Sequence, residues 1–305
     1  MDGGHPNPMT CVQHFFDEAT STFTYVVSDV ETGVAAVIDP VLDLNYASGT
    51  LSTRSADEVV QHIRAHNLSL RYILETHIHA DHLSSAPFIR EQLGGEIVIG
   101  SQITTVQQTF ATIFAEGDSF RRDGSQFDLM LSDGDTLTFG GLEVRALHVP
   151  GHTPACMAYL VGDALFVGDT LFMPDAGTAR CDFPGGDARS LYESCRRLLE
   201  LPDDTRVFVC HDYQPGGRDI EFESTVAEQR ALNIHVGAGI SADDFVAMRE
   251  ARDADLDMPT LILPSLQVNM RAGNLPPIDA SGTLFLKVPI NAFGGAALDR
   301  FASEE

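Results

Sequence analysis

Residues 71–82 of this chain read RYILETHIHADH, a short apolar strand that runs directly into three histidines and an aspartate. Alternate side chains of an extended segment point the same way, so His77 and His79 can reach one point. A turn after them lets Asp81 and His82 face a neighbouring point. Imidazole and carboxylate groups are ligands for zinc, iron and related ions. The spacing therefore predicts a metal site at the end of a strand.

Three further candidate ligands each occur where a predicted strand gives way to a loop. His152 lies in the segment PGHTP, Asp169 in VGDT and His211 in CHD. Loops at the ends of rigid elements commonly present functional side chains. Taken singly, His152 or Asp169 is equally compatible with an ordinary turn residue. In this order after the first cluster, the set favours one metal centre built from distant parts of the chain.

The composition restricts the classes of partner. The 305 residues are 44% hydrophobic and carry a formal net charge of -25. Nucleic acids and anionic membranes are bound by basic surfaces, so we expect neither as a partner. No apolar run approaches the ~20 residues of a membrane span, and the segment Met1–Pro6 does not resemble a secretory signal. We therefore expect a cytoplasmic protein.

Lysine and cysteine usage adds two expectations. Lys287 is the only lysine, and an acidic, lysine-poor surface is compatible with either a salt-rich cytoplasm or an ordinary acidic protein. The cysteines are odd in number and form no CxxC pair, which favours reduced thiols over a disulfide framework. Each is predicted to be a small buried residue. They are Cys11, Cys156, Cys181, Cys195 and Cys210.

The order of predicted elements favours an α+β fold. Hairpins precede most of the helices, which suits two packed sheets with helices outside and does not suit a doubly wound parallel sheet. Ser55 and Glu58 have the spacing of a capping box at a helix start. We predict a single domain over residues 1–305, with an irregular C-terminal extension, rich in Pro and Gly, from about residue 259.

The order His-x-His-x-Asp-His, His, Asp, His resembles the metallo-β-lactamase superfamily. That resemblance implies an αββα sandwich, with two mixed β-sheets flanked by helices and the metal site at one edge of the sheets. Within the superfamily, the chain looks most like persulfide dioxygenases (sulfur dioxygenases), including bacterial members labelled β-lactamase hydrolase-like. The stretches that carry this resemblance are THIHADH at 76–82, PGHTP at 150–154, GTARCDF at 177–183, HDY at 211–213 and VNMRAG at 268–273.

The resemblance implies one Fe(II) per chain, held by His77, His152 and Asp169. Such a two-histidine, one-carboxylate face leaves open positions for oxygen and substrate. The other ligand-type residues would orient these ligands and line a second-metal position that stays empty. They are His79, Asp81, His82 and His211. From the residues alone, a two-zinc or mixed dinuclear hydrolase remains equally compatible.

The implied reaction oxidises a glutathione persulfide with O₂ to sulfite and glutathione, and the family also implies a homodimer. An anionic substrate of an acidic protein requires a local cationic pocket, and arginine pairs well with carboxylates. Catalytic roles are implied for Arg180, Asp182 and Tyr213, although Arg180 and Asp182 could simply pair with each other. Cys181 stands where a threonine is expected and is interpreted as packing. Candidate substrate-binding residues are Arg180, Tyr213, Arg218, Asn269, Arg271 and Lys287.

The main alternative is a glyoxalase II-like thioester hydrolase. It would use the same cluster to hold two metals that activate a bridging water. Against it, the sequence predicts no helical C-terminal domain of the kind associated with that family. A lactonase or β-lactamase ranks lower. A non-catalytic metal-binding or redox-sensing module would have lost some ligands, and none is missing.

Overall fold

The computed structural model describes residues 10–293. One sheet begins with an N-terminal antiparallel meander and continues through parallel strands, in the order β1-β2-β3-β6-β8-β9. Its strands are β1 (Thr10–Asp17), β2 (Thr22–Asp29), β3 (Val34–Ile38), β6 (Ser69–Leu74), β8 (Glu96–Gly100) and β9 (Leu129–Leu131).

A second sheet runs in the order β10-β11-β12-β13-β14-β15, antiparallel except for the pairing of β13 with β14. A small three-stranded sheet, β5-β4-β7, lies between the strands of the first sheet in sequence. The strands of the second sheet are β10 (Thr136–Phe139), β11 (Leu142–His148), β12 (Met157–Val161), β13 (Ala164–Phe166), β14 (Arg206–Phe208) and β15 (Glu223–Thr225). Those of the small sheet are β4 (Val41–Asn45), β5 (Thr50–Ser52) and β7 (Leu83–Ser84).

Two hydrophobic clusters hold these layers together. Successive residues of a strand face opposite sides of a sheet, and in β2 Tyr25 belongs to one cluster while Val26 belongs to the other. The first cluster joins the two sheets, as in the packing of Tyr25 against Phe166. The second joins the outer face of the first sheet to helices. The helices are α1 (Arg54–Ala65), α2 (Ala86–Leu93), α3 (Ile103–Ile113), α4 (Ala188–Leu198), α5 (Val226–Leu232), α6 (Ala242–Asp253) and α7 (Ile262–Asn269).

The expected α+β sandwich of two mixed sheets flanked by helices is therefore confirmed. No helix within residues 10–293 has the length and apolar character that crossing a membrane requires. The segment Met1–Pro6, predicted not to be a secretory signal, lies outside the described residues, as do the two ends of the predicted domain.

Three local predictions differ from the structure. Helix α1 begins at Arg54, and the Ser55 hydroxyl donates to Asp43 on β4 instead of capping its own helix. The segment after residue 259 was expected to be irregular, yet it forms α7, whose residues are mostly buried. Cys11 is exposed, because it lies on the edge strand β1. Each difference depends on the tertiary fold, which spacing along the chain does not encode.

Candidate metal centre

Loops from both sheets bring the predicted ligands to one edge of the sandwich. The first cluster follows β6, a strand with neighbours on both sides in its sheet. His152 comes from the connection between β11 and β12, Asp169 follows β13, and His211 follows β14. His77, His79, His82, His152, Asp169 and His211 are all buried, and Asp81 is partly exposed. The structure thus gathers every ligand candidate that the sequence singled out.

One group consists of His77, His152 and Asp169. The Nε2 atoms of His77 and His152 lie 3.7 and 3.5 Å from the same carboxylate oxygen, Oδ2 of Asp169. The donor atoms of the three side chains all lie within 4.8 Å of one another, as a shared ion requires. This is the two-histidine, one-carboxylate set that the resemblance implies.

A second group adjoins the first. Donor atoms of His79, Asp81 and His82 also lie within 4.8 Å of one another. His211 Nε2 lies 3.4 Å from Oδ2 of Asp81 and 3.2 Å from Oδ1 of Asp169. The two oxygens of Asp169 therefore face different sets of histidines. The arrangement can hold one ion, or two ions bridged by this carboxylate.

The buried nitrogen atoms of the cluster fit a metal ion. Buried polar atoms nearly always have a hydrogen-bond partner. Here Nε2 of His77, Nε2 of His82 and Nδ1 of His79 are buried without one. Imidazole nitrogens with a free lone pair beside a carboxylate are suitable ligands for iron or zinc. The unpartnered atoms are thus explained if the cluster binds metal.

The opposite ring nitrogens are held by the chain, which orients the free ones. His152 Nδ1 donates to the carbonyl oxygen of Arg180 at 2.7 Å, and His82 Nδ1 donates to the carbonyl of Leu83 at 3.2 Å. His211 Nδ1 lies 3.2 Å from the carbonyl of Ser21. A hydrogen bond at one nitrogen fixes the tautomer and directs the other toward the metal.

Asp39 and Glu75 form an acidic pair behind the cluster that the sequence analysis missed. Asp39 has a left-handed backbone (φ 49°) and accepts hydrogen bonds from the backbone N and hydroxyl of Thr76 at 2.7 and 2.8 Å. Its Oδ1 lies 3.0 Å from Nε2 of His79, so Nδ1 of His79 is the nitrogen left for a metal. The available signal was the segment Ile-Asp-Pro at the end of β3, the same strand-to-loop position as Asp169.

The electrostatics of the cluster favour a bound cation. Burial lowers the pKa of both His79 and His211, but nearby carboxylates outweigh it. Asp39 raises the pKa of His79 to about 9. Asp169 and Asp81 raise the pKa of His211 to about 10. Burial raises the pKa of Glu75, and the Asp39 charge raises it further, to about 8. These carboxylates stabilise positive charge at the cluster, which a metal ion would supply in place of protons.

Asn269, predicted to bind substrate, instead holds the metal loop. Its Nδ2 donates to the carbonyl oxygens of His79 and His82 at 2.9 and 2.8 Å, and its Oδ1 accepts from the backbone N of Ser84 at 2.8 Å. The side chain is buried at the end of α7. It therefore positions the metal loop, and its predicted contact with substrate stays a prediction.

Three predicted substrate-binding cations lie outside the site. Arg271 and Lys287 pair with Glu116 at 2.7 and 3.3 Å. Arg218 forms ion pairs with Asp175 and Asp212, at 2.7 and 2.6 Å. Internal carboxylates pair with all three side chains, and none of the three lines the cavity beside the metal cluster, so their roles at the substrate stay predictions.

Arg180, Asp182 and Cys181 form one structural loop. The Arg180 guanidinium donates to both oxygens of Asp182 at 2.6 and 2.7 Å and to the carbonyl of Asp257 at 2.6 Å. The pairing alternative raised from the sequence is thus the one found, although Arg180 also lines the cavity. Cys181 is buried, as expected for packing, and burial raises the pKa of its thiol.

A cavity of about 1090 Å³ opens onto the metal cluster at Asp81, His152 and Asp169. Its walls come from the β4–β5 hairpin, the segment 176–183 and α6 with the residues that follow it. Tyr213 also lines it, with its ring stacked on His211 at 5.7 Å between centroids. Of the predicted substrate contacts, Tyr213 is the one that lines the cavity without an internal partner for its hydroxyl among residues 10–293.

Comparison with known proteins identifies relatives over nearly the whole chain. Residues 18–211 match the sequence profile described as the metallo-beta-lactamase superfamily. A probable metallo-hydrolase of Burkholderia pseudomallei is 55% identical over 92% of this chain and 99% of its own length. The mitochondrial persulfide dioxygenase ETHE1 of Homo sapiens is 31% identical over 89% of this chain and 91% of its own length. The crystal structure of ETHE1 from Myxococcus xanthus superimposes with a TM-score of 0.69 and 30% identity, covering 87% of this chain and 100% of that structure.

Proposed function

The chain belongs to the metallo-β-lactamase superfamily, and on that premise we propose that it is a persulfide dioxygenase that oxidises glutathione persulfide with O₂. The observation that carries the proposal is the group of His77, His152 and Asp169, which opens onto the cavity. Two histidines and one carboxylate leave open positions on Fe(II) for both reactants. The similarity to persulfide dioxygenase ETHE1 of human and Myxococcus xanthus supports the same assignment.

The proposed reaction converts glutathione persulfide, O₂ and water to glutathione, sulfite and two protons. His77, His152 and Asp169 would hold the ferrous ion, which would supply the redox chemistry with O₂. The protein contributes position and proton handling. Tyr213 lines the cavity and donates its hydroxyl to the substrate. Asp81 lines the cavity 3.4 Å from His211 Nε2, so a carboxylate lies beside the substrate position.

A thioester hydrolase with two metals is the second candidate, and three observations favour it. The oxygens of Asp169 face separate histidine groups, as a bridging ligand would. In addition, α6 and α7 follow the metal ligands and α6 lines the cavity, which weakens the sequence argument that a helical C-terminal region is missing. The 55% identical relative is also named as a metallo-hydrolase.

Metal analysis combined with an oxygen electrode separates the two candidates. Protein purified without oxygen should hold about one iron per chain, as one facial triad requires, and should consume O₂ only when glutathione persulfide is supplied. Two zinc ions per chain, with hydrolysis of S-lactoylglutathione and no O₂ uptake, would refute the dioxygenase proposal and support the hydrolase.

The ligand assignment has its own control. His152→Ala should abolish both iron binding and O₂ uptake, whereas His66→Ala, which changes an exposed histidine on the surface, should leave both intact. Retained iron in His152→Ala would show that the assigned ligand set is wrong. We further propose that the acidic protein acts on small molecules, without nucleic acid or membrane partners, and forms a homodimer.

A further inference from the structure

Four arginines line the cavity of this strongly acidic protein. They come from the start of α1, from the 176–183 segment and from α6: Arg54, Arg180, Arg249 and Arg252. Carboxylates of the cluster and the walls line the same cavity, at Asp17, Asp43, Asp81, Asp169 and Asp257. A cation that these or other carboxylates do not already neutralise attracts an anionic ligand more strongly than a paired one.

Three of the four arginines already have partners within the chain. Arg54 pairs with Asp43 at 3.2 Å. Arg180 makes a two-pronged pair with Asp182. Arg249 pairs with the buried Asp253 at 2.6 Å and donates to a backbone carbonyl at 3.1 Å. Their donors therefore stabilise the walls of the cavity.

Arg252 differs from the other three. It lies in the last turn of α6 and is exposed. Within the described range 10–293, its guanidinium has neither an ion pair nor a hydrogen bond. The side chain next to it in sequence, Asp253, is occupied by Arg249. The cavity thus presents one cation whose charge is available to a ligand.

We propose that Arg252 binds a carboxylate of the thiol carrier and so selects a peptidic, carboxylate-bearing thiol. The inference rests on the proposed function only in taking glutathione as the carrier, and it holds equally if the reaction is thioester hydrolysis. A guanidinium offers a planar fork of donors that matches a carboxylate with two parallel hydrogen bonds. The persulfide end of the ligand then faces Asp169 and His152, and the carboxylate end faces α6.

Equilibrium binding to the metal-loaded protein tests this assignment. Glutathione should bind Arg252→Ala about tenfold or more weakly than the unchanged protein, because a charge-assisted pair is lost. Arg252→Lys should recover part of the affinity. Arg196→Ala is the matched control, since Arg196 is also exposed in the last helical turn, of α4, and does not line the cavity. It should bind glutathione normally.

Two further ligands identify the group that Arg252 recognises. Glutathione diethyl ester, in which both carboxylates are masked, should bind weakly and equally to the unchanged protein and to Arg252→Ala. Coenzyme A, which carries phosphates, should bind more weakly than glutathione. Four outcomes would each overturn the inference. Two concern glutathione: equal losses of affinity in Arg252→Ala and Arg196→Ala, or no binding by the unchanged protein. The other two are undiminished binding of the ester and tighter, Arg252-dependent binding of coenzyme A.

Oxygen uptake keeps this test separate from that of the proposed function. If the unchanged protein consumes O₂ with glutathione persulfide but Arg252→Ala binds glutathione normally, the function stands and the role of Arg252 fails. If glutathione binding depends on Arg252 but only S-lactoylglutathione is turned over, without O₂, the role of Arg252 stands and the dioxygenase proposal fails.

Discussion

Replacing Asn269 with alanine should weaken metal binding without touching any metal ligand. The amide is buried and makes three hydrogen bonds to the backbone of the metal loop, at the carbonyls of His79 and His82 and at the N–H of Ser84. Alanine leaves all three backbone groups buried without this partner. We therefore expect the loop to shift and the affinity for iron to fall by about ten- to a hundredfold, the range found for partners that orient ligands.

The cost in stability can be worked from the same contacts. Each buried polar group left unsatisfied costs about 1–3 kcal/mol, so three groups give roughly 3–9 kcal/mol before relaxation. Water entering the small space left by the amide would satisfy some of them, and we expect about 3 kcal/mol in the free energy of unfolding. Asn269→Asp should be at least as harmful, because a carboxylate would face two carbonyl oxygens that can only accept.

Two measurements separate a positioning role from a general packing role. Iron affinity is measured by competition with a chelator, and the free energy of unfolding of the metal-free protein by urea titration. Asn274→Ala is the control, since Asn274 follows the same helix and donates only to the carbonyl of Arg271. If Asn269→Ala lost stability but bound iron as tightly as the Asn274 variant, the reasoning that the amide positions the metal loop would be refuted.

Three further outcomes are expected. Arg271→Ala should lower the free energy of unfolding by about 3 kcal/mol, because among residues 10–293 it leaves the Glu116 carboxylate with Lys287 alone as an ion-pair partner. Unchanged turnover per folded molecule, measured by O₂ uptake, would show that Arg271 is not a substrate contact. Tyr213→Phe should lower kcat/KM by about tenfold through loss of one hydrogen bond, while metal analysis finds the normal iron content. Unaltered kinetics would show that the Tyr213 hydroxyl does not contact the substrate. The folded state raises the pKa of His79 to about 9 and that of His211 to about 10. The two protonated histidines therefore stabilise the metal-free protein fully below about pH 6.5, the pKa of an unfolded histidine. This stabilisation is lost as the pH rises through the two folded-state values. The melting temperature in a chelator should therefore fall from pH ~6.5 to ~9.5, and a rise over that range would contradict the assigned cluster.

The ligand cluster could be predicted because its information is local. His77 and His79 share a face by the period of an extended segment, and Asp169 and His211 each follow a short apolar run. The sandwich followed from the same alternation, together with a known family pattern. Neither inference required the identity of a distant partner.

The substrate residues could not be predicted in the same way, because the charge of an arginine does not show which carboxylate will neutralise it. Arg271 and Lys287 meet Glu116, which is more than a hundred residues away in sequence. Arg252 was not singled out, since its availability depends on Asp253 being taken by Arg249. Asp39 was missed because its role depends on a left-handed turn that aims its carboxylate at His79.

The single lysine gives this protein one side-chain amine through which it can be attached to a solid support. Lys287 is half exposed at its pair with Glu116, away from the cavity. An amine-reactive linker has one side chain to attack, so side-chain coupling would take place at a single point that does not line the cavity. Arg271 would remain beside Glu116 after the coupling. Sensors that follow thiol binding could therefore immobilise the unaltered chain.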